Sequence, residues 1–277
     1  MILPILAAVS RATEIIVDKE VLSRQKLNFK TYLLGGFTFV LLIATVIGLT
    51  WGKVSPDFFK LPYLLAFLGI IATAVGWNSI FYRAIQKEKL SDAEPIILAT
   101  PLMVILISAI FIPEERKWSY IVLALIASLS VIASRFQRKH LHFNIYSLAL
   151  IGYAILFGFE ALFVKVVLAN CNPFALYPLR VLFVMTILAA IFRPSFKGLS
   201  HKNWISLFVI GFIANAYHLL LYFSYAKYGI SVTALFTVLE PILVYLASLM
   251  LFKEKFQLRN IIAAAIVLFC VIYAQFI

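Results

Sequence analysis

Apolar residues run along this chain in long stretches parted by short polar breaks. The stretches cover 31–50, 62–82, 95–112, 118–134, 145–168, 174–192, 203–224, 231–252 and 258–276. A helix rises 1.5 Å per residue, so about 20 apolar residues cross the hydrocarbon of a bilayer. Each stretch therefore predicts a transmembrane helix. The breaks carry Pro, Gly or charge, as in KVSPDFFK, PEERK, RFQRKHLH and RPSFKGLSHKN. Residues 1–22 form a tenth span only if SRATEIIVDKE, positions 10–20, enters the membrane with its charges.

An internal repeat supports that tenth span. Shifted by 140 residues, the chain matches Tyr82 to Tyr222, Lys87 to Lys227, Ser91 to Ser231, Pro101 to Pro241, Ser108 to Ser248 and Glu114 to Glu254. Shifted by 146, Ala8 meets Ala154, Glu14 meets Glu160 and Lys19 meets Lys165. The partner stretch IGYAILFGFEALFVKVVL is plainly a membrane helix, so its counterpart is expected to be one too. Each half, 1–138 and 139–277, then holds five helices. Five is odd, so the second half enters from the opposite side. The fold class expected is an all-α integral membrane protein of ten transmembrane helices in two five-helix inverted-topology repeats. That architecture places a substrate site near the midplane, between the halves.

Composition agrees. The chain is 64% hydrophobic and 13% charged, with a mean hydropathy of +1.01; a soluble domain is nearer a quarter charged. The net charge of +12 would suggest nucleic acid in a soluble protein. Here Lys and Arg fall in breaks between spans, where they face lipid headgroups, so nucleic-acid binding is excluded. Odd-numbered connections hold about fifteen Lys plus Arg and even-numbered ones about five. That bias puts both termini outside the cytoplasm. The opening MILPILAAVSRA lacks a basic leader and is not read as a cleaved signal. Cys171 and Cys270 suggest neither a disulfide framework nor a metal site. No HExxH, GxSxG, GxxxxGK[ST] or CxxC motif is present. The chain is expected not to be an enzyme and to need no cofactor or metal.

The segments YRAIQKEKLSDAEPIILATPLMVILISAIFIPEERKWSYIVLALIASLSVIA and YFSYAKYGISVTALFTVLEPILVYLASLMLFKEKFQLRNIIAAAIVLFCVIYA carry a family pattern. An aromatic-rich helix end and a short turn lead to a mid-helix Pro; an apolar stretch ending in Glu and a final helix follow. On this pattern the chain resembles the ten-helix EamA-type branch of the drug/metabolite transporter superfamily. It departs where Pro113 and Lys253 replace the Gly that usually precedes the Glu, and its first helix is unusually charged. Family members also usually take the opposite orientation, which leaves the sidedness open. The resemblance implies a multi-pass protein of a bacterial inner membrane, a monomer or homodimer, that moves a small organic solute by alternating access.

Ionisable groups at membrane depth are costly, so each is a candidate for substrate binding or coupling. Arg11, Glu14 and Asp18 share one helix face at i, i+3 and i+7. Glu14 and Asp18 are expected to carry protons or face a cationic substrate, unless Glu14 only pairs with Arg11. Glu160 stands at mid-helix with Arg180 as its candidate partner. Glu240 precedes Pro241, whose missing N–H kinks the helix and frees a carbonyl; Pro101 takes the matching place, beside Thr100. Asn215, His218 and Tyr222 form one stripe, faced in the repeat by Trp77, Asn78 and Tyr82. Glu114 and Glu254 are expected to cap the turns that follow them. Carboxylates favour a cationic or zwitterionic solute (an amine, amino acid or cationic drug), with protons as the coupling ion. Arg180 alone would favour a carboxylated metabolite. A lipid-precursor flippase and a non-transporting membrane scaffold or enzyme subunit are the alternatives.

Overall fold

A computed structural model of the chain describes residues 1–24, 27–87, 100–135, 145–196, 199–251 and 258–276. These residues form helices, apart from short turns and an isolated antiparallel bridge between Val54 and Cys171. In chain order the helices are α1 (Ile2–Arg24), α2 (Phe29–Trp51), α3 (Leu61–Lys87), α4 (Thr100–Phe111), α5 (Trp118–Arg135), α6 (Ile145–Val167), α7 (Pro173–Phe192), α8 (His201–Tyr228), α9 (Ile230–Thr237), α10 (Glu240–Leu251) and α11 (Leu258–Tyr273). α9 and α10 are two pieces of one span, Ile230–Ala247. Six helices among the described residues are long and apolar enough to cross a bilayer, and Thr100–Phe111, Trp118–Ser134 and Leu258–Tyr273 are shorter apolar helices.

α1 is too charged to pass that test, yet it lies within the bundle. Ala7 and Ala8 are fully buried and Ala12 nearly so, and these small residues let α8, α9 and α10 pack closely along it. The other main pairings join α3 to α6, α2 to both α7 and α8, α4 to α6 and α9, and α5 to α11. The break between α9 and α10 has a local cause. Pro241 has no N–H to return to Thr237, so α9 ends there and α10 restarts at Glu240 with Pro241 in its first turn. Pro101 is the second residue of α4. The expected kink there involves residues before Thr100 that lie outside those described, as do Ser91 and Glu254.

The two ends of the bundle are tied differently. At one end the Asn172 side chain accepts from the Lys53 N–H at 2.9 Å and donates to the Trp51 carbonyl at 2.9 Å, while Phe174 packs on Trp51 and Phe223. Burial pushes the thiol of neighbouring Cys171 up to about 12. At the other end Phe29 meets Phe192 edge-on, and Thr31 donates to the Ser195 carbonyl at 3.0 Å. In mid-span, Asn215 donates to the carbonyls of Gly211 and Val40, which ties α8 to α2.

Gly211 makes that approach possible. A Cβ there would fall 2.6 Å from the Phe39 Cβ and 3.1 Å from the Val40 N. Gly152 has nothing within 4 Å of the equivalent point. Gly211→Val is expected to destabilise the detergent-purified protein by about 2 kcal/mol, lowering its melting temperature by about 5 °C. Gly152→Ala should leave the melting temperature unchanged or raise it, because the added methyl meets no atom and alanine favours the helix.

Candidate functional site

Two cavities open between the helices in mid-bundle, with about 520 Å³ and about 490 Å³ of empty space, open solvent included. Most of their walls come from the middles of spans and from the parts nearer Phe192. The larger is lined by Thr100, Pro101, Tyr153, Tyr217, Glu240 and Pro241 among others. The smaller takes Glu14, Tyr32, Trp77, Asn78, Tyr82, Tyr177, Arg180 and His218. Arg11 lines both.

The charges fall into two groups. On α1, Arg11 donates to Glu14 at 2.8 Å, one turn away. The guanidinium also lies 5.2 Å above the Tyr217 ring, a contact that favours a cation over the ring's negative face. Asp18, a further turn along, accepts from the Tyr32 hydroxyl. Glu240 stands on the larger cavity and interacts with Arg11 through charge. It has no hydrogen bond or close ion pair among the described residues. The second group joins three helices. Arg180 on α7 donates through Nε to Glu160 on α6 at 2.5 Å, and Trp77 on α3 donates its indole N–H to the other oxygen of that carboxylate. The Arg180 guanidinium also sits 5.9 Å from the Trp77 ring centre.

The structure thus gathers Glu14, Trp77, Asn78, Arg180, His218, Glu240, Pro101 and Pro241 around the two cavities, with Glu160 behind Arg180. His218 also faces a small adjoining pocket with Glu160 and Tyr222. Asp18 lies at the edge of the group, held by Tyr32. Asn215 is 2% exposed and lines neither cavity; its amide is used between α8 and α2. Asn78 faces the cavity while its amide returns to the Ala74 carbonyl. Several site residues went unnoticed in the sequence. Arg11 was read only as a partner for Glu14, although its place on the Glu14 face was the available signal. Tyr153, Tyr177 and Tyr217 gave none, since tyrosines are common throughout membrane helices. Glu114 is exposed, and its neighbour Glu115 caps the start of α9 rather than the turn after α4, as described below. Among the described residues no group of three His, Cys, Asp or Glu could hold a metal.

Glu160→Gln should show how strongly the second group is coupled. It leaves the buried Arg180 without a counter-charge, a loss of about 3–5 kcal/mol. Adding Arg180→Met is expected to recover at least half of that in thermal unfolding. Strictly additive losses in the double variant would show that the two residues do not act as a pair.

Comparisons with known proteins bear on the fold and the family. Solved structures share the fold: a crystal structure of a protein 13% identical superposes with a TM-score of 0.80, covering 99% of this chain and 96% of that one. Among curated proteins, none matches by sequence. The family model described as EamA-like transporter family matches twice, over residues 1–136 and 144–274. Those two matches span nearly the whole chain, and the protein belongs to the EamA-like transporter family, a multi-pass membrane protein of transporter type.

Proposed function

We propose that the protein is a secondary transporter of small organic cations or zwitterions, exchanged for protons by alternating access. The observation that carries this reading is the position of Arg11. It stands where both cavities meet, held by Glu14 on one and facing Glu240 on the other. An ammonium entering the larger cavity can take the charge interaction that Glu240 otherwise makes with Arg11. Without substrate, a proton on Glu240 serves the same need, because a carboxylate without a close partner is costly at membrane depth. Substrate and proton then compete for one group, which is the requirement for exchange. Arg180 argues for a cation and against a carboxylated solute, since Glu160 already neutralises it. The membrane is taken to be a bacterial inner membrane.

The proposed movement is a rocking of two inverted five-helix halves. The contact pattern supports it. Exchanging each helix with its counterpart in the other half turns α1–α8 into α6–α3, and α2–α8 into α7–α3, and all four contacts are made. Such a device needs a gate at each end, and the Asn172 end holds a firm one. After α4, the Glu115 carboxylate accepts the N–H groups of Ile230 and Ser231 at 2.8 and 2.9 Å, where α9 begins. A negative group at a helix N-terminus satisfies its unpaired amides and complements its dipole. Ser231 returns its hydroxyl to the Glu115 carbonyl at 3.0 Å and lies 3.2 Å from the Ser108 hydroxyl. The turn needs glycine: Gly229 has φ +88°, and a Cβ there would fall 2.6 Å from Glu115 Oε1. Lys165 donates to the Tyr225 carbonyl at 2.7 Å, capping the end of α8 beside it.

Proteoliposome flux tests the reading. Saturable uptake of members of an amine and amino-acid panel is expected under an imposed pH gradient, falling at least about tenfold in Glu240→Gln with an unchanged melting temperature. No flux of any member in either direction would sink the transporter reading and favour a scaffold. The gate has its own readout in Val164→Cys, since Val164 is fully buried and both native cysteines are buried. Adding Glu115→Lys should raise the thiol-labelling rate of this cysteine from the Asn172 end at least about fivefold, with Glu115→Gln between the two. Equal rates in all three would remove Glu115 from the gate.

A further inference from the structure

The cation exchange proposed above uses neither Arg180 nor His218. Both line the smaller cavity, and both are buried, Arg180 at 1% exposure and His218 at 9%. Arg180 Nε is bound to Glu160, but its Nη2 has no hydrogen-bond partner among the described residues. His218 Nδ1 lies 3.0 Å from the Ala214 carbonyl. A carbonyl can only accept, so Nδ1 carries the ring proton. His218 Nε2 also lacks a partner among the described residues, and in the neutral ring it presents a lone pair. Tyr177 stacks on the imidazole at 5.1 Å with an interplanar angle of 17°, and Tyr217 meets it edge-on, which together fix its plane. Arg180 is close enough to His218 to act on it through charge. One cavity therefore holds a buried donor and a buried acceptor, each unused.

Their chemistry selects a ligand group. Glu160 already cancels the Arg180 charge, so a carboxylate here would bring an uncompensated charge and turn its lone pairs toward that of Nε2. An ammonium would bring its protons against the Nη2 N–H. A neutral group with an acceptor beside a donor satisfies both atoms. A carboxamide does so with its oxygen and N–H, and a hydroxyl does so with one oxygen.

We propose that Arg180 and His218 form a subsite for a neutral hydroxyl or carboxamide at the uncharged end of the transported solute. The inference rests on the transport reading for its use, since it describes the end of the solute away from Glu240. It narrows the substrate class to organic cations or zwitterions that also carry such a group.

Binding to the detergent-purified full chain tests the subsite without flux. The reporter is Trp77, which touches the Arg180 group, in a background of Trp51→Phe, Trp118→Phe and Trp204→Phe that removes the other three of the four tryptophans. Four single-ring probes are compared: benzamide, N,N-dimethylbenzamide, benzoate and benzylamine. Benzamide should change Trp77 fluorescence saturably, with a Kd at least about tenfold lower than each of the others, because a site built around hydrogen bonds rejects analogues that lack them. His218→Phe should raise the benzamide Kd at least about tenfold, and His218→Gln, which keeps an acceptor, should restore it to within about threefold. The probe comparison stands even if His218→Phe fails to fold. Absence of saturable benzamide binding overturns the proposal, as does equal or tighter binding of benzoate or of the dimethyl amide. Selective benzamide binding without amine flux in liposomes would remove the transport reading and leave the subsite. Flux without selectivity would do the reverse.

Discussion

Glu160 and Arg180 meet at 2.5 Å with the Trp77 indole completing the carboxylate's partners, and much of the bundle is arranged around that junction. A charge at membrane depth has no water to hold it, so a carboxylate there needs a cation and hydrogen-bond donors at close range. Meeting that need draws three helices, α3, α6 and α7, to one point. It also orients the guanidinium: with Nε committed to Glu160, the Nη2 edge is left over beside the cavity that holds His218. Aromatic rings close around the junction. Tyr153 and Phe157 pack edge-on against Trp77 at 5.8 and 5.5 Å, which fixes the indole that feeds the carboxylate.

The repeat-related carboxylate solves the same problem in a weaker way. Glu14 corresponds to Glu160 under the 146-residue shift, but its cation, Arg11, stands one turn away on the same helix. A pair contained in one helix does not tie that helix to its neighbours. α1 can therefore shift against α8 and α10 without separating Arg11 from Glu14, while a shift between α6 and α7 must break a buried ion pair and a shift of α3 the Trp77 hydrogen bond to it. The second group thus holds its helices together, while the ion pair of the first moves with α1 as a unit. Arg11 already touches the larger cavity, the smaller cavity and the face of Tyr217. For a protein proposed to rock around a central site, the movable charge lies where the two cavities join.

The sequence made the helices legible because lipid imposes a length and an apolarity on every span, and that signal is strong even in one chain. The internal repeat then placed SRATEIIVDKE in the membrane, where composition alone pointed to a tail. α1 fails the length-and-charge test for a span, and only its burial against α8 shows why it is tolerated. Contacts between helices were less legible. Periodicity states which residues share a face, but not which neighbour that face meets. Asn215, His218 and Tyr222 do share a stripe, yet Asn215 meets the α2 backbone, drawn close by Gly211. The carboxylate expected to cap the turn after α4 was likewise misread: Glu115 rather than Glu114 turns inward, and it caps the distant start of α9. The chain continues after α4 as a 3₁₀ turn, Pro113–Glu115, which advances about 120° per residue where an α-helix advances about 100°. That turns Glu115 inward and leaves Glu114 exposed.

The same cap bears on how the proposed inverted repeat could have a preferred state. Two identical halves would make the two ends of the bundle equivalent, and the conformations open to either side would have equal energy. This chain does not keep the halves identical where the clasp forms. Under the 140-residue shift, Glu115 corresponds to Lys255 and Gly229 to Lys89, while Ser231 keeps its serine as Ser91. An ammonium has donors and no acceptor. It cannot take up the paired N–H groups of a helix start as the Glu115 carboxylate does. The Glu115 clasp is therefore not repeated by the residue that corresponds to it, and on the proposed cycle its hydrogen bonds favour the state closed at the Asn172 end. Much of the cavity lining lies in the parts of α2, α3 and α4 nearer the Phe192 end, as that bias requires. On this reading a ligand drives the cycle only if its binding favours the opposite state by more than the clasp opposes it, because a ligand indifferent to the two states moves neither.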